Sequence, residues 1–255
     1  MPHLWLTFRP YPPVGTSPFD GSARFGYSAD MASFLVIAPH PDDAELGMGG
    51  TILKLKAAGH RVHIVDMTNG EPTPFGSPEI REKEWTAAGE VLGVSRSNLG
   101  LTNRQVQHTI EARHKLASVI RQHTPNVLFV PYPTDAHPDH VAVTRIAEDA
   151  RFDAKLTKCD TITGTPWHPK RVIYYFCTHL KMNFNPTFCI DISDTYAQKI
   201  ESVRCYASQF VGNSGHVPEM VEQITAYFGN RIGVAHAEPF FTHEVLGLGG
   251  LDQLV

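Results

Sequence analysis

Two short clusters of histidine and aspartate hold the residues of this chain that are best suited to chemistry. The first reads APHPDD over residues 38–43, and the second reads AHPDH over residues 136–140. Imidazole nitrogens and carboxylate oxygens are ligands that Zn²⁺ and similar divalent ions prefer. Three protein ligands leave one position for water, and each cluster has further polar groups that can move a proton. The two clusters therefore predict a metal-dependent hydrolytic site.

In the first cluster, a histidine and a carboxylate three positions apart can bind one ion from the same side of a turn. Pro41 lies between them and limits the freedom of the turn, which lowers the entropy lost on binding. Of Asp42 and Asp43, the carboxylate that does not bind the metal can take a proton from a metal-activated water, whose pKa falls to about 7. The spacing with His40 does not decide which aspartate has which role.

The second cluster leaves the same choice open for its two histidines, His137 and His140. One imidazole can bind the ion while the other donates a proton or stabilises negative charge, and Asp139 can orient or charge that second imidazole. A single short cluster of this kind is more often part of an ordinary turn or helix cap. Two of them, each directly after a buried strand, favour a functional site.

The elements that precede the clusters predict how the clusters come together. Residues 34–38 and 126–130 are short apolar runs, as expected of strands buried on both faces of a parallel sheet. In open α/β sheets, sites form outside the carboxyl ends of strands, at a topological switch. We therefore expect one α/β domain with a Rossmann-like, mostly parallel sheet and helices on both faces.

The remaining pattern alternates strands and helices. Strands are predicted at 62–67, 97–101, 172–177, 188–192 and 238–241. Helices are predicted from the GMGGT segment at 47–51 to Gly59, and at 79–92, 109–122, 195–206 and 219–227. Residues 1–30 are rich in Pro and Gly without a sustained period and read as an irregular extension before a domain at 31–255, with Met31 as a possible initiator.

Composition excludes some classes of protein. The net charge of -4 and the lack of a basic run argue against nucleic-acid binding. No apolar stretch is long enough for a membrane span. The four cysteines have no CxxC spacing, so we expect reduced, largely buried thiols in a cytoplasmic protein.

Longer segments around both clusters resemble the LmbE/PIG-L family of zinc-dependent N-deacetylases. The segments are APHPDDAELGMGGTI, TNGE and AHPDH. Within that family the chain is most similar to the bacillithiol-biosynthesis branch, the N-acetylglucosaminyl malate deacetylases. This similarity rests on PTFCIDISD at 186–194, YASQF at 206–210 and GVAHAEPFF at 233–241. The resemblance covers about residues 31–246 and implies the same LmbE-like fold.

The resemblance also implies roles that spacing leaves open. It makes His40, Asp43 and His140 the ligands of one Zn²⁺ per chain, a site that Fe²⁺ can also occupy. It makes Asp42 the general base. His137 becomes the group that stabilises the tetrahedral intermediate and helps to protonate the leaving amine, with Asp139 behind it. The implied reaction removes an N-acetyl group from a small N-acetylglucosaminyl compound and releases acetate and an amine.

The substrate pocket is less well defined by the sequence. Bacillithiol-type members carry an arginine where this chain has Ala136, which puts a carboxylate-bearing aglycone in doubt. Five residues are candidate substrate contacts, each with an equally ordinary structural explanation: Asn69, Glu71, Arg81, Arg104 and Tyr206. The glycines of GMGG do not follow the dinucleotide-binding order, so they indicate close helix–sheet packing rather than nucleotide binding.

Two other functions remain open. A thiol S-conjugate amidase would use the same metal site on a larger acyl group. A non-catalytic metal- or sugar-binding protein would keep the fold, but binding alone does not need Asp42 and His137. The expected partner is a small N-acetylated amino sugar, not nucleic acid or a membrane. The family resemblance also implies assembly as a homo-oligomer.

Overall fold

A computed structural model of the chain describes residues 31–177 and 184–247. The predicted extension at residues 1–30 lies outside the described residues. In chain order, the strands are β1 (Ser33–Ala38), β2 (Arg61–Thr68), β3 (Ser95–Leu101), β4 (Val127–Pro131), β5 (Arg171–Tyr175), β6 (Phe188–Asp191) and β7 (Ala237–Phe241). The helices are α1 (Asp43–Ala57), α2 (Pro78–Leu92), α3 (Ile110–His123), α4 (Pro138–Asp153), α5 (Tyr196–Arg204) and α6 (Val217–Ile232).

The seven strands form one sheet in the order β3-β2-β1-β4-β5-β7-β6. Strands β1 to β5 are parallel, and β7 pairs antiparallel with both β5 and β6. This order confirms the predicted single-domain α/β fold with a mostly parallel sheet. The direction of winding reverses between β1 and β4, which opens a crevice at the carboxyl ends of these two strands.

Alternate residues of β1 enter two different cores, one on each face of the sheet. Leu35 and Ile37 pack with apolar residues of α3 and α4. Val36 and Ala38 pack with apolar residues of α1 on the opposite face. A strand covered by helices on both sides has no solvent face, and for this reason its sequence is a continuous apolar run rather than an alternating pattern.

Helix α1 begins at Asp43, four residues before the predicted start at Gly47, and it is interrupted at Met48 (φ -150°). The glycines around the break allow close packing, as the sequence predicted. A Cβ on Gly47 would lie 2.5 Å from the Tyr175 ring, and one on Gly50 would lie 2.7 Å from the Ile192 side chain. These approaches leave no room for a side chain.

A buried ion pair bridges the interruption in α1. Glu238 of β7 accepts hydrogen bonds from the backbone N–H groups of Gly50 and Thr51, at 2.9 and 2.7 Å. The Nζ of Lys199 donates to the Leu46 carbonyl at 2.7 Å and to Glu238 at 2.5 Å. The pair therefore satisfies backbone groups on both sides of the break, which would otherwise be buried without partners.

Helix α4 is absent from the sequence prediction, which gives no helix between the strands at 126–130 and 172–177. The loop after β4 ends at His137, the N-cap of α4, and Pro138 occupies the first turn. Proline is favoured at this position because its missing N–H has no helical partner there. His140 is therefore fixed by a helix rather than carried on a loop.

Two further expectations concern the cysteines and membranes. All four cysteines are free thiols, but only Cys177 is buried and the other three are half-buried, so the expectation of largely buried thiols was wrong. Among the helices of the described residues, none combines the length and the apolar character that crossing a bilayer requires.

Candidate metal centre and substrate pocket

The two sequence clusters meet at the crevice between β1 and β4. The first cluster follows β1 directly, and the second leads into α4 after β4. These strands are neighbours, with Phe34, Leu35 and Val36 in register with residues 127–129. Contact between the clusters is direct, because His40 Nε2 lies 3.1 Å from a carboxylate oxygen of Asp139.

Three donor atoms converge at this point, one from each residue that the family resemblance implies as a metal ligand. His40 Nδ1 lies 3.1 Å from Asp43 Oδ2, and His140 Nε2 lies 3.3 Å from each of them. Neighbouring ligands of a tetrahedral ion at bond lengths of about 2.0–2.2 Å are about 3.3–3.6 Å apart. The triangle of donors therefore has the size of one face of such a tetrahedron, and its two nitrogens and one oxygen suit Zn²⁺ or Fe²⁺.

Each of these histidines also contacts a carboxylate through its other ring nitrogen. Asp139 contacts His40 Nε2 at 3.1 Å, and Asp135 contacts His140 Nδ1 at 3.0 Å. Such pairs fix the ring orientation of a metal-binding histidine and increase its basicity. Asp135 was missed by sequence reasoning, although a search for carboxylates next to each ligand histidine would have found it.

Asp139 was expected behind His137, and in the structure its carboxylate is also hydrogen-bonded to His40. Its carboxylate contacts His40 and accepts the backbone N–H groups of Arg104 and Val106, at 2.7 and 3.3 Å. Its carboxylate also lies within 4.8 Å of a His137 ring nitrogen and acts to raise the pKa of that ring, while its backbone N–H donates to Nδ1 at 3.2 Å. Asp139 is the second residue of a helix capped by His137, so its side chain points across to the β1 cluster.

The electrostatic field at the three donors favours a cation. Burial opposes the charge of His40, but its bonds to Asp139 and Asp43 prevail and raise the pKa of His40 to about 9. Burial also opposes the charge of His140, yet Asp43 raises the pKa of His140 well above its ordinary value. The two histidines in turn hold the pKa of Asp43 well below its ordinary value despite its burial.

Asp42 faces the pocket next to these donors. It is the N-cap of α1. Its φ of 120° lies in a backbone region that residues other than glycine rarely occupy. Burial raises the pKa of Asp42 to about 7, although the charge of Arg81 opposes the rise. The Arg81 Nη2 atom lies 3.4 Å from Asp42 Oδ2. A carboxylate with a pKa near neutrality, held by a strained backbone, is suited to exchange protons.

His137 lies beside His40 and His140, the two histidines of the candidate metal site. Its ring centroid is 4.7 Å from that of His40 and 4.8 Å from that of His140. Burial, together with the charges of His140 and His40, lowers the pKa of His137 to about 4. Because Nδ1 accepts the Asp139 N–H, the neutral ring carries its proton on Nε2. His137 is therefore a neutral hydrogen-bond donor through Nε2.

These groups open into a cavity of about 250 Å³, which we call the metal pocket. Both predicted arginines, Arg81 and Arg104, lie in its wall, with Asn103 and Gln209. Arg81 is buried and packs closely against Gly70. A Cβ at Gly70 would lie 2.7 Å from the Nη2 atom of Arg81. Arg104 is exposed. The two cations give the wall of the pocket donors for substrate oxygens.

The other three predicted substrate residues do not line the metal pocket. Tyr206 is fully buried, and its hydroxyl donates to Glu45 at 2.9 Å beneath Arg81, whose guanidinium lies 5.5 Å from the ring. The Glu71 carboxylate accepts the N–H and hydroxyl of Thr73 and so holds its own loop. Asn69 lines a neighbouring cavity. Tyr206 and Glu71 are therefore supporting residues.

The fold and the site define a class: an α/β protein with a His₂Asp donor set at the switch point of a parallel sheet. Residues 35–151 match the family PIG-L, described as GlcNAc-PI de-N-acetylase. The chain is 30% identical to diacetylchitobiose deacetylase of Thermococcus kodakarensis, over 82% of each chain. The chain belongs to the PIG-L/LmbE family, as predicted, and is an N-deacetylase.

Two further similarities concern the branch and the fold. The chain is 25% identical to a probable N-acetyl-alpha-D-glucosaminyl L-malate deacetylase 2 of Bacillus anthracis, over 69% of this chain and 80% of the relative. It is 40% identical to the conserved protein TT1542 of Thermus thermophilus, whose crystal structure has a TM-score of 0.79 and covers 86% of this chain and 98% of the other. The bacillithiol branch stays a prediction.

Proposed function

We propose that this chain hydrolyses the acetamide of an N-acetylglucosamine unit in a small glycoside and releases acetate and a free amine. The observation that carries the proposal is the triangle of His40, Asp43 and His140 donors with Asp42 and His137 beside it. The relatives named as deacetylases of diacetylchitobiose and of a glucosaminyl malate support this class of substrate.

We propose Zn²⁺ as the ion, held by His40, Asp43 and His140. When bound, such an ion polarises the acetyl carbonyl and lowers the pKa of a water molecule. The donor set and its spacing support this choice, and the carboxylates of Asp139 and Asp135 keep both imidazoles in the orientation that ligation needs.

Asp42 then moves the proton, and His137 stabilises the charge that develops. Asp42 accepts a proton from the attacking water as the oxygen forms a bond to the acetyl carbon. The Nε2–H of His137 donates a hydrogen bond to the oxygen on which negative charge develops. When the C–N bond breaks, the proton held by Asp42 passes to the leaving nitrogen. The acetic acid so formed gives its remaining proton to the amine, so the products are acetate and an ammonium group, and Asp42 returns to its ionised form.

The test is acetate release from a panel of N-acetylated glucosides, combined with metal analysis of the purified protein. We expect Asp42→Asn to keep its metal and to lose at least about a hundredfold in kcat, because a general base contributes roughly 10²–10⁴-fold. Asp43→Asn is the contrasting variant and should lose the metal itself. Full activity of Asp42→Asn would contradict the mechanism.

A non-catalytic binding protein and a thiol S-conjugate amidase give different results in the same experiment. The binding protein would retain metal and release no acetate from any substrate. The amidase would prefer S-conjugated pseudo-disaccharides with larger acyl groups over acetamides.

A further inference from the structure

One part of the metal pocket is apolar. Among the described residues that line the pocket, three large apolar side chains belong to one cluster: Leu46 of α1, Phe210, and Val217 at the start of α6. Leu46 is a buried member of that cluster, and the other two pack against it. We call these three residues the apolar patch. Because arginines line another part of the wall, the pocket has two chemically distinct surfaces.

The apolar patch begins directly beside a candidate metal ligand. Leu46 lies three residues after Asp43 and four after Asp42, in the first turns of α1. Its backbone N–H donates to the Asp42 carbonyl at 2.9 Å. Residues with this spacing lie on the same face of a helix. An amide whose carbonyl oxygen reaches the metal therefore has Leu46 close to one of its two substituents.

The chemistry of the two substituents decides which of them meets the apolar patch. The amine side of the proposed substrate is a sugar with several hydroxyl groups, and the acyl side is a hydrocarbon group. Burying a hydroxyl against an apolar surface without a partner costs free energy, whereas a hydrocarbon group gains free energy from the same contact. Arg81 and Arg104 offer donors to the hydroxyl oxygens elsewhere in the pocket. The acyl group is therefore the substituent that suits the apolar patch.

The apolar patch is larger than the methyl of an acetyl group needs. Phe210 and Val217 are only half-buried, so both leave apolar surface open at the pocket. The cluster on which they pack also contains the buried Val203 and Val221, which keep the patch in place. One methyl group covers little of this surface, and further methylene groups would cover more. Each methylene that is fully buried strengthens binding about fourfold.

A small cavity that Leu46 also lines limits the length of the acyl chain. This cavity has a volume of about 20 Å³, and its walls include Gly47 and Phe176. Such a volume has room for about one water-sized group. Lys199 and Glu238 also line it and form a buried ion pair. A chain that extended into this cavity would therefore fill it and then meet buried charges.

We propose that the apolar patch binds the alkyl part of the acyl group, and that the protein removes propionyl and butyryl groups as well as acetyl from the amino sugar. This inference rests on the proposed function and extends it to a class of acyl groups. The reaction is unchanged: the water oxygen bonds to the acyl carbon, the C–N bond breaks, and the products are a short-chain carboxylate and an ammonium group. Leu46, Phe210 and Val217 then determine acyl-chain specificity.

The first experiment compares kcat/KM for N-acetyl-, N-propionyl-, N-butyryl- and N-hexanoylglucosamine. We expect the wild-type value for butyryl to be at least about a tenth of the acetyl value, and the hexanoyl value to be lower by about another tenfold. In Phe210→Ser and in Val217→Ser, the butyryl-to-acetyl ratio should fall about fivefold, because less methylene surface is buried. Val211→Ser, at an exposed valine outside the described lining of the metal pocket, is the matched control and should keep the wild-type ratio.

Leu46→Ala tests the limit on chain length. The shorter side chain should connect the metal pocket with the small cavity, so the hexanoyl-to-butyryl ratio should rise about tenfold. Val217 is half-buried in the first turn of α6, and its variant decides the question if Leu46→Ala does not fold. A wild-type butyryl value below about a tenth of the acetyl value, or an unchanged ratio in both serine variants of the patch, would overturn the proposal.

A binding measurement separates this proposal from the proposed function. Calorimetric titration of the zinc-loaded protein with acetohydroxamate and butyrohydroxamate compares the two chain lengths without turnover, because the hydroxamate oxygens bind the metal in both. We expect wild-type protein to bind butyrohydroxamate about tenfold more tightly. This preference should fall to about threefold or less in Val217→Ser and stay unchanged in Val211→Ser.

The outcomes of the two experiments are distinct. If no N-acylglucosamine is hydrolysed but Val217→Ser loses the preference for butyrohydroxamate, the proposed function fails and the role of the apolar patch stands. If acetate is released but wild-type protein binds both hydroxamates equally, the apolar patch is refuted and deacetylation stands. A zinc-loaded protein that binds neither hydroxamate would contradict both proposals.

Discussion

Each candidate metal-binding histidine has a carboxylate on its far ring nitrogen, and the two carboxylates come from the same short segment before and within α4. Asp135 lies 3.0 Å from His140 Nδ1, and Asp139 lies 3.1 Å from His40 Nε2. One segment thus supports a ligand from each cluster. This arrangement explains why the second cluster is richer in polar residues than ligation by His140 requires.

The contact of Asp135 gives a prediction for metal affinity. Asp135→Asn keeps a hydrogen-bond acceptor but removes the charge that makes the His140 imidazole a stronger ligand. We expect the affinity for Zn²⁺, measured by competition with a chelator, to fall about 10–100-fold. Asp160→Asn, at an exposed aspartate, is the control. Affinity within twofold of wild type would show that Asp135 does not support the ligand.

The contact of Arg81 with Asp42 gives a prediction for pH dependence. Asp42 must be ionised to accept a proton, so activity should decline as the pH falls through its pKa. The positive charge of Arg81 favours the ionised form. In Arg81→Met the pKa of Asp42 rises, and the acid limb of kcat/KM should move to higher pH by about one unit. Arg104→Met removes a cation from the same pocket without a contact to Asp42. Equal shifts in both variants would refute the specific role of Arg81.

At the scale of secondary-structure elements, the interruption in α1 is stabilised by two other elements, the helix α5 and the strand β7. Lys199 from α5 and Glu238 from β7 are almost fully buried and satisfy the backbone groups at the break. The break lies about one turn after Asp43, so these elements also fix the direction of the helix that carries this candidate metal ligand. The closing strand β7 therefore contributes to the site from a distance.

The buried pair gives a prediction for stability. Lys199→Met leaves the Glu238 charge buried without a cation, and we expect the free energy of unfolding to fall by about 3–5 kcal/mol, measured by urea denaturation. Lys54→Met removes the cation of an exposed pair with Asp194 and should cost less than about 1 kcal/mol. A double variant with Glu238→Gln should recover part of the loss. Similar costs for Lys199→Met and Lys54→Met would contradict the prediction.

For the molecule as a whole, a histidine at the amino end of the sheet also limits the pH range over which the folded protein is stable. His63 of β2 lies between the hydroxyls of Ser95 and Ser97, at 2.8 Å from each, and stacks on His123 with a centroid distance of 3.7 Å. Burial, with the charges of His123 and Arg96, lowers the pKa of His63 to about 4. This neutral imidazole lies at the end of β2 away from the metal centre.

The lowered pKa of His63 predicts loss of stability in acid. The unfolded chain binds the proton near pH 6.5 and the folded chain only near pH 4, so the free energy of unfolding falls as the pH falls between these values. Because the ring is partly accessible, we expect this contribution to be about 1–2 kcal/mol. His63→Gln should reduce the slope of unfolding free energy against pH in this interval, whereas the exposed-site variant His216→Gln should not. An unchanged slope in His63→Gln would refute the assignment.

Local patterns in the chain were sufficient for most of the architecture. The apolar runs before each cluster, the helical periods between them and the glycines at Gly47 and Gly50 all correspond to observed elements and contacts. The strands and helices depend on interactions between residues close in sequence, which periodicity and turn chemistry express directly. The two glycines instead contact Tyr175 and Ile192, which are distant in sequence. The exception was α4, because its first turn consists of the same proline, aspartate and histidine residues that also occur in turns.

Roles within the site depend on side-chain direction across long separations, which no local pattern encodes. Only the tertiary structure decided that the Asp139 carboxylate is hydrogen-bonded to His40, that Asp135 contacts His140, and that Tyr206 lies beneath Arg81 instead of in the pocket. The residue types and the strand endings alone were sufficient to predict a metal site between β1 and β4. Which atoms face the ion, the substrate or the core was settled by packing, because strands distant in sequence meet only in the folded sheet.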